Sequence, residues 1–331
     1  MNYFKPVLLG LIIGLLCDLQ YSFTEEKPVA KIAYPSIGGN STILYVGAEA
    51  GIFQRNGLDV KLIYIPGGSR LVQALISGDI DFGFTSPSVA VGASLAGADL
   101  RILAVSTTTM VYWLFVTKEV RDLGDLRGKL IGITRYGSGI DVATQAVFRK
   151  LGFELNKDYK LIQVGGQREA ILAMEKGVIQ GALLNPPAST IARSLGFNML
   201  VDGGDLGIDY AMASLISLKS KISRDEALVR KVVKSYAEAI AFAKKNPEPA
   251  IAAIGKYTGV KDRRVLKETY EAFVPRFAKI PLVTERIVKA ALFEHQQRFP
   301  KAASSDARVF METKYIEELE SEGFFKLLYR D

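Results

Sequence analysis

The chain has 331 residues, 49% of them hydrophobic and 23% charged, and a formal net charge of +7. This composition is typical of a globular protein with a large core, and the length suggests about two domains. The positive charge forms no long Lys/Arg run or aromatic–basic patch, which argues against a nucleic-acid partner. A diffuse positive potential that attracts small anions fits the same charge, as does a solvated surface without a partner.

The N-terminus predicts a signal peptide in residues 1–24. Lys5 precedes an apolar run from Val7 to Cys17, which is shorter than the roughly 20 residues needed to span a bilayer. Its length is that of a signal-peptide core, and Ser22-Phe23-Thr24 offers the best small-x-small cleavage site. We therefore expect an exported protein. Lipidation at Cys17 and an uncleaved N-terminal anchor are the two alternatives.

Cysteine and histidine each occur once, as Cys17 and His295. The exported part therefore has no disulfide and no thiolate metal site, and we expect neither a metal nor another cofactor. His295 lies in a stretch of helical period, where a structural histidine is the simpler interpretation. Most general-base and metal chemistry uses histidine, so this chain is poorly equipped for catalysis.

Strands and helices alternate along the first 220 or so residues, which predicts mostly parallel sheets covered by helices on both faces. The predicted strands are 31–34, 60–65, 100–106, 130–134, 198–201 and 211–218, and the predicted helices are 42–53, 88–97, 141–151 and 189–195. Residues 112–117 indicate an extended crossover. From Ser223 onward the pattern is helical almost to the end.

Residues 61–87 repeat as residues 160–186, without a gap, at an offset of 99. Each copy has an apolar run, a glycine turn, a helical stretch, a glycine, a second apolar run and a polar residue before proline. This order predicts strand, turn, helix, strand and loop. Two such units suggest two similar α/β lobes with a cleft between them. The alternative is that any two β-α-β segments resemble each other, because glycines and aliphatic residues recur in loops and cores.

Four glycine-containing loops follow predicted strands and precede predicted helices: 36–41, 67–69, 135–139 and 165–167. The first turn of a helix has unpaired N–H groups, and glycine lets a ligand approach them closely. Such loops favour anions. Arg135 and Arg168 lie beside them and could clamp a carboxylate or sulfonate. Trp113 is interpreted as a core residue, and the chain lacks the P-loop, HExxH and GxSxG patterns.

Several segments together resemble solute-binding proteins of ABC importers: GDIDFGFTSPS, DLRGKLIGITRYGSGID, VGGQREAILAMEKGVIQGALLNPP and YIEELESEGFF. The resemblance covers residues 29–325 and is nearest to the nitrate/sulfonate/taurine and thiamine-precursor (pyrimidine) type. It implies an α/β, two-lobed, periplasmic-binding-protein-like type II fold, with mixed, mostly parallel sheets flanked by helices and two crossover strands. Lobe 1 would comprise 29–112 plus 216–331, and lobe 2 would comprise 113–215.

The resemblance also implies a function. The protein would capture a small anionic or heterocyclic molecule in the periplasm and deliver it, as a monomer, to an ABC permease in the inner membrane. The cleft would be lined by residues of all four loops and of the strand ends that follow them: Ser36, Gly39, Asn40, Ser41, Gly67, Gly68, Ser69, Thr85, Ser86, Arg135, Ser138, Gly139, Gly166, Gln167, Asn185 and Pro186.

Two other functions fit the same scaffold. One is an enzyme, such as a lyase or isomerase of a biosynthetic intermediate. The resembled group has an enzymatic branch that uses its own histidine and a cysteine-rich motif, and this chain has neither. The other is a sensor subunit that presents its ligand to a receptor.

Overall fold

The computed structural model of the chain describes residues 27–330. The predicted signal peptide, with Cys17, lies outside these residues. The described part contains ten strands: β1 Val29–Tyr34, β2 Asp59–Tyr64, β3 Phe82–Thr85, β4 Leu100–Thr107, β5 Trp113–Val116, β6 Lys129–Ile133, β7 Tyr159–Gln163, β8 Gly181–Leu184, β9 Asn198–Asp202 and β10 Ala213–Leu218.

Fourteen α-helices lie within the same range: α1 Thr42–Glu49, α2 Ile52–Arg55, α3 Gly68–Ser77, α4 Pro87–Leu95, α5 Gly139–Lys150, α6 Gln167–Glu175, α7 Ala188–Ser194, α8 Lys219–Arg224, α9 Glu226–Lys245, α10 Pro247–Thr258, α11 Arg263–Phe273, α12 Glu285–Glu294, α13 Lys314–Ser321 and α14 Phe324–Leu328. None of these helices is long and apolar enough to cross a membrane.

The strands form two five-stranded sheets with the same internal plan. The first has the order β2-β1-β3-β10-β4 and the second the order β7-β6-β8-β5-β9. In each sheet one strand, β10 or β5, pairs antiparallel with both neighbours, while the other strands run in a common direction. The repeated segments occupy equivalent places, as β2-α3-β3 and β7-α6-β8. The repeat therefore reflects one structural unit used twice.

The two reversed strands are also where the chain changes sheets. After β4 the chain enters the second sheet through β5, and after β9 it returns to the first sheet through β10. We call each sheet with its packed helices a lobe: α5, α6 and α7 belong to the second sheet and the other helices to the first.

The cores follow the alternation of side chains along each strand. In β1, Ile32 belongs to the largest hydrophobic cluster, whereas its neighbour Ala33 belongs to the cluster on the opposite face beneath α3, α4 and α12. The largest cluster contains residues of both lobes, such as Ile32 and Ile131. The lobes therefore share buried apolar surface in addition to being joined by the chain.

The structure differs from the predicted elements in three places. The predicted helix 42–53 is two helices, because Gly51 adopts the left-handed φ of 65° between α1 and α2. The predicted crossover 112–117 is itself a strand, β5, hydrogen-bonded on both sides. The predicted lobe boundary at 215/216 falls inside β10, which pairs within the first sheet from Ala213 onward.

Candidate functional site

The loop after β1 is fixed by its own polar groups. Ser36 donates from Oγ to Asn40 Oδ1 at 3.4 Å, and Ser41 donates from Oγ to the carbonyl of Ser36 at 3.2 Å. Asn40 and Ser41 are buried. Gly39 packs so tightly that an added Cβ would lie 2.3 Å from Cδ2 of Phe273. The packing against Phe273 therefore leaves no room for a side chain at Gly39.

The same loop contacts the second lobe directly. The amide of Gly39 donates to the carbonyl of Pro186 at 3.2 Å, and a Cβ on Gly38 would lie 3.3 Å from Oδ1 of Asn185. Pro186 precedes the cis bond to Pro187. The structure thus brings the strand end after β8 against the loop after β1, as the predicted cleft requires.

The loops 67–69 and 135–139 form a second meeting point between the lobes. Gly67 has a φ of 84°, and an added Cβ would lie 2.9 Å from Cδ of Arg135. Gly68 is packed on its own lobe, where a Cβ would lie 2.7 Å from Oγ1 of Thr85. Ser69 lies near the second-lobe loop, since a Cβ on Gly137 would be 3.9 Å from its Cβ. Arg135 therefore reaches across the cleft to the first lobe.

Ser138 caps helix α5. Its Oγ accepts a hydrogen bond from the Asp141 amide at 3.3 Å and lies 2.8 Å from Oγ1 of Thr134. Asp141 accepts in turn from the Gly137 amide at 2.7 Å. Burial raises the pKa of the Asp141 carboxyl, while the hydrogen bonds that it accepts from Gln145 Nε2 and from the Gly137 amide act in the opposite direction. Capping by Ser138 and Asp141 fixes the position of the glycine loop.

Gln167 and Asn185 form a paired unit on the second lobe. Gln167 donates from Nε2 to Asn185 Oδ1 at 3.1 Å and accepts at Oε1 from the Asn185 amide at 2.8 Å. Gly166, which precedes α6, is half-buried. Gln167 thus holds the Asn185 side chain in place. The remaining amide nitrogen, Asn185 Nδ2, has no partner of good geometry among the described residues and can bind a ligand.

Ser86 and Gly139 meet where the N-termini of α4 and α5 face each other. A Cβ on Gly139 would lie 3.0 Å from Oγ of Ser86 and 3.3 Å from the hydroxyl of Tyr210. The Tyr210 hydroxyl donates to the Gly139 carbonyl at 2.6 Å. Helix N-termini carry a partial positive charge, so this meeting point favours an anion or an electron-rich group.

Three buried polar atoms among these residues lack a hydrogen-bond partner of good geometry in the described structure. They are Oγ of Ser86, Nε of Arg135 and Nδ2 of Asn185. Ser86 is 4% exposed and Asn185 is 1% exposed. An unpaired buried polar atom costs on the order of 1–3 kcal/mol, so such atoms mark a place where a partner is expected.

One of the sixteen predicted residues also lines a separate chamber. Ser69 borders a cavity of about 300 Å³ enclosed by α3, α4, Tyr136 and the turn from His295 to Phe299. His295 is half-buried, with Nε2 2.7 Å from the Ser88 carbonyl, and burial lowers the pKa of its imidazole. The structure therefore places His295 in a structural contact with α4.

Arg168 lies outside the meeting points of the loops. It donates from Nη2 to the Thr258 carbonyl at the C-terminus of α10, so it joins the second lobe to the first at the rim. Trp113 donates from Nε1 to Asp202 at 2.7 Å within the second sheet. Neither side chain is placed as a ligand clamp or a stacking platform.

Ion pairs join the lobes at two further rim positions. Arg149 pairs with Glu294 at 2.7 Å, and Arg193 pairs with Glu268 at 3.1 Å. Together with Arg168, the second lobe supplies the arginine in all three contacts. Ion pairs therefore help to hold the rim, and added salt weakens those whose charges are exposed to solvent.

Sequence reasoning missed three residues that shape the site. Asp141 had a detectable signal, because Ser138 and Asp141 stand at the spacing of a helix cap. Tyr210 and Phe273 had none, since they come from distant segments and reach Gly139 and Gly39 only in the folded chain. Among residues 27–330, no cluster of His, Cys, Asp and Glu could hold a metal ion.

Known proteins resemble this chain over most of its length. The model of the family described as NMT1/THI5 like matches residues 39–250. A protein of Brucella abortus (strain 2308), named as a binding protein, is 23% identical over 260 residues, covering 77% of this chain and 79% of its own.

Two solved structures share the fold. The nitrate-binding protein NrtA of Synechocystis PCC 6803 superposes with a TM-score of 0.73 at 12% identity, over 90% of this chain and 89% of its own. The alkanesulfonate-binding protein SsuA of Xanthomonas axonopodis pv. citri, bound to MOPS, gives a TM-score of 0.71 at 19% identity, over 88% and 98%. The predicted fold class, two-lobed and periplasmic-binding-protein-like, is confirmed.

Proposed function

The chain belongs to the NMT1/THI5-like family, and from that premise we propose that it is the exported solute-binding component of an ABC-type importer. It captures a small molecule between its lobes and passes it to a permease in the inner membrane. Residues 1–24 serve as the signal peptide, and the protein works in the periplasm as a monomer. The two strand crossings act as the hinge of the cleft.

One observation carries this proposal. Ser86 and Asn185 stand at equivalent strand ends of the two lobes, one after β3 and one after β8. Each has a buried polar atom without a hydrogen-bond partner of good geometry among residues 27–330, although the Tyr210 hydroxyl lies beside Ser86. A ligand in the cleft would pair with both atoms at once, so its binding would favour the approach of the lobes. An unpaired atom in one lobe alone would not suggest closure around a ligand.

The chemistry of the site favours an anionic or polar heterocyclic ligand. The N-termini of α4 and α5 meet at Ser86 and Gly139, Arg135 supplies a positive charge, and Asn185 offers an amide donor. The related proteins that bind nitrate or alkanesulfonates fit this preference. All sixteen residues predicted from the sequence belong to the proposed site, with the unpaired atoms of Ser86, Arg135 and Asn185 as its polar contacts.

An enzyme on the same scaffold is the weaker candidate. The single histidine is engaged with the Ser88 carbonyl, and the buried carboxyl of Asp141, beside loop 135–139, accepts a hydrogen bond from the Gly137 amide near the N-terminus of α5. Neither group is free to move a proton on a bound molecule in this arrangement. Binding without conversion therefore fits the site better than catalysis.

Native mass spectrometry tests the proposal on protein purified from its own host without refolding. We expect a small molecule bound at one copy per chain, recovered unchanged after incubation. Nitrate, alkanesulfonates and pyrimidines would then be titrated by calorimetry to identify the class. Recovery of a converted product would favour the enzyme, and the absence of any ligand from native protein and from the titrations would contradict the proposal.

A further inference from the structure

A separate groove lies at the rim of the two lobes, away from the glycine loops. It has a volume of about 710 Å³ and lies between the second half of α5, residues 207–209 and helix α12. Helix α5 belongs to the second lobe and α12 to the first. The groove therefore takes its full shape only while the lobes are together, and none of the sixteen predicted site residues lines it.

Four cations surround this groove: Arg149, Lys150, Arg286 and Lys289. Two anions, Asp209 and Glu294, also line it, and they pair with Arg286 and Arg149. The lining therefore carries two more positive than negative charges. Lys289 pairs with Glu285, outside the lining, at 2.8 Å. Lys150 has no ion pair with any residue from 27 to 330, so it can bind an anion without losing a partner.

The floor of the groove is apolar. Phe293 is 58% exposed, which is unusual for a phenylalanine, and its ring lies 5.5 Å from the guanidinium carbon of Arg149. Ala146, Ile208 and Ala290 extend the apolar surface on either side. An exposed ring beside cations is suited to a molecule with an apolar body and an anionic group.

We propose that this groove is a second binding site, for a small amphiphilic anion such as an aromatic or alkyl carboxylate or sulfonate. The anionic group lies between Lys150 and Lys289, and the apolar body lies on Phe293. Because both lobes form the walls, occupancy of the groove stabilises the closed arrangement, and closure strengthens binding in the groove by the same factor. Binding in the groove is independent of the function proposed above, whereas its coupling to closure rests on the hinge motion proposed there.

The test uses anilinonaphthalene sulfonate, an aromatic sulfonate that fluoresces when bound to an apolar surface. The full-length exported protein should bind it saturably at one site, with an affinity that falls as salt is added, because exposed charges are screened. Lys150→Glu with Lys289→Glu should weaken binding by roughly tenfold or more, since two attractions become repulsions. Phe293→Ala should weaken it as well, and the fold should persist because the ring is exposed.

Lys160→Glu with Lys326→Glu is the matched control. Both lysines are exposed and lie outside the groove, and the pair changes the net charge equally. The proposal predicts wild-type affinity in this control. It is wrong if wild-type protein shows no saturable binding, if the control weakens binding as much as the groove variant, or if the groove variants bind like wild type. Binding to phosphatidylserine vesicles without binding of the free probe would also overturn it.

Discussion

Removal of the Ser86 hydroxyl should lower ligand affinity, while the stability of the ligand-free protein stays the same or rises. Its Oγ is buried and lacks a hydrogen-bond partner of good geometry among the described residues. Ser86 is the N-cap residue of α4, yet its side chain forms no capping hydrogen bond. Ser86→Ala therefore deletes only a contact with the Tyr210 hydroxyl, which donates its own proton to the Gly139 carbonyl, while it deletes the group offered to a ligand.

The magnitudes follow from the cost of unpaired polar groups. Loss of a hydrogen bond to a ligand should reduce binding by about 1–3 kcal/mol, which is roughly tenfold or more in the dissociation constant. Loss of an unpaired buried hydroxyl removes a desolvation penalty, so the free energy of unfolding without ligand should stay the same or rise by up to about 1 kcal/mol.

The assay combines titration calorimetry with urea unfolding of ligand-free protein. Ser94→Ala is the matched control, because Ser94 lies near the other end of the same helix and its Oγ also lacks a hydrogen-bond partner within residues 27–330. Eight residues of helix separate the two by about 12 Å. The control should share any gain in stability and keep wild-type affinity. Wild-type affinity in Ser86→Ala would refute the reasoning, as would a loss of stability greater than about 1 kcal/mol.

Three further changes test other parts of the structure. Gly39→Ala should lower ligand affinity and destabilise the first lobe by about 1–3 kcal/mol in urea unfolding, because the new Cβ would lie 2.3 Å from a Phe273 carbon. Arg149→Ala should weaken ligand binding more than Arg193→Ala does, because Glu294 is only 5% exposed and would lose its cation, whereas Glu268 is 34% exposed. His295→Gln should flatten the pH dependence of unfolding below about pH 6.5. Burial lowers the pKa of the histidine, so the unfolded chain binds more protons and stability falls as pH falls below 6.5.

For each of these three predictions, one result would contradict the reasoning. Unchanged stability in Gly39→Ala would mean that the loop is free to shift away from α11. Equal affinities of the two arginine variants in calorimetry would mean that the rim pairs do not hold the closed arrangement. If the unfolding free energy of His295→Gln depends on pH as steeply as that of wild type, groups other than His295 take up the protons. One histidine contributes a slope of at most about 1.4 kcal/mol per pH unit.

The order of strands and helices was predictable from the sequence alone, because it depends on local periodicity and on glycine turns. The two repeat copies became equivalent units, β2-α3-β3 and β7-α6-β8, as predicted. The places where loops meet helices were predictable for the same reason: α1, α3, α5 and α6 begin at or beside the four predicted glycine loops. Which of the loop residues bind a ligand stays a prediction.

The partners of each strand and loop were decided only by the tertiary structure. The segment 112–117 has the same local pattern whether it spans two lobes or pairs within one sheet, and only the fold makes it β5 between β8 and β9. Arg168 stands in the sequence beside a proposed cleft loop, as Arg135 does, yet it contacts the carbonyl of Thr258 at the rim. Tyr210 reaches Gly139 across 71 residues of chain. Periodicity reports which side of an element is buried, but what lies against that side depends on packing between distant segments, and no local pattern encodes it.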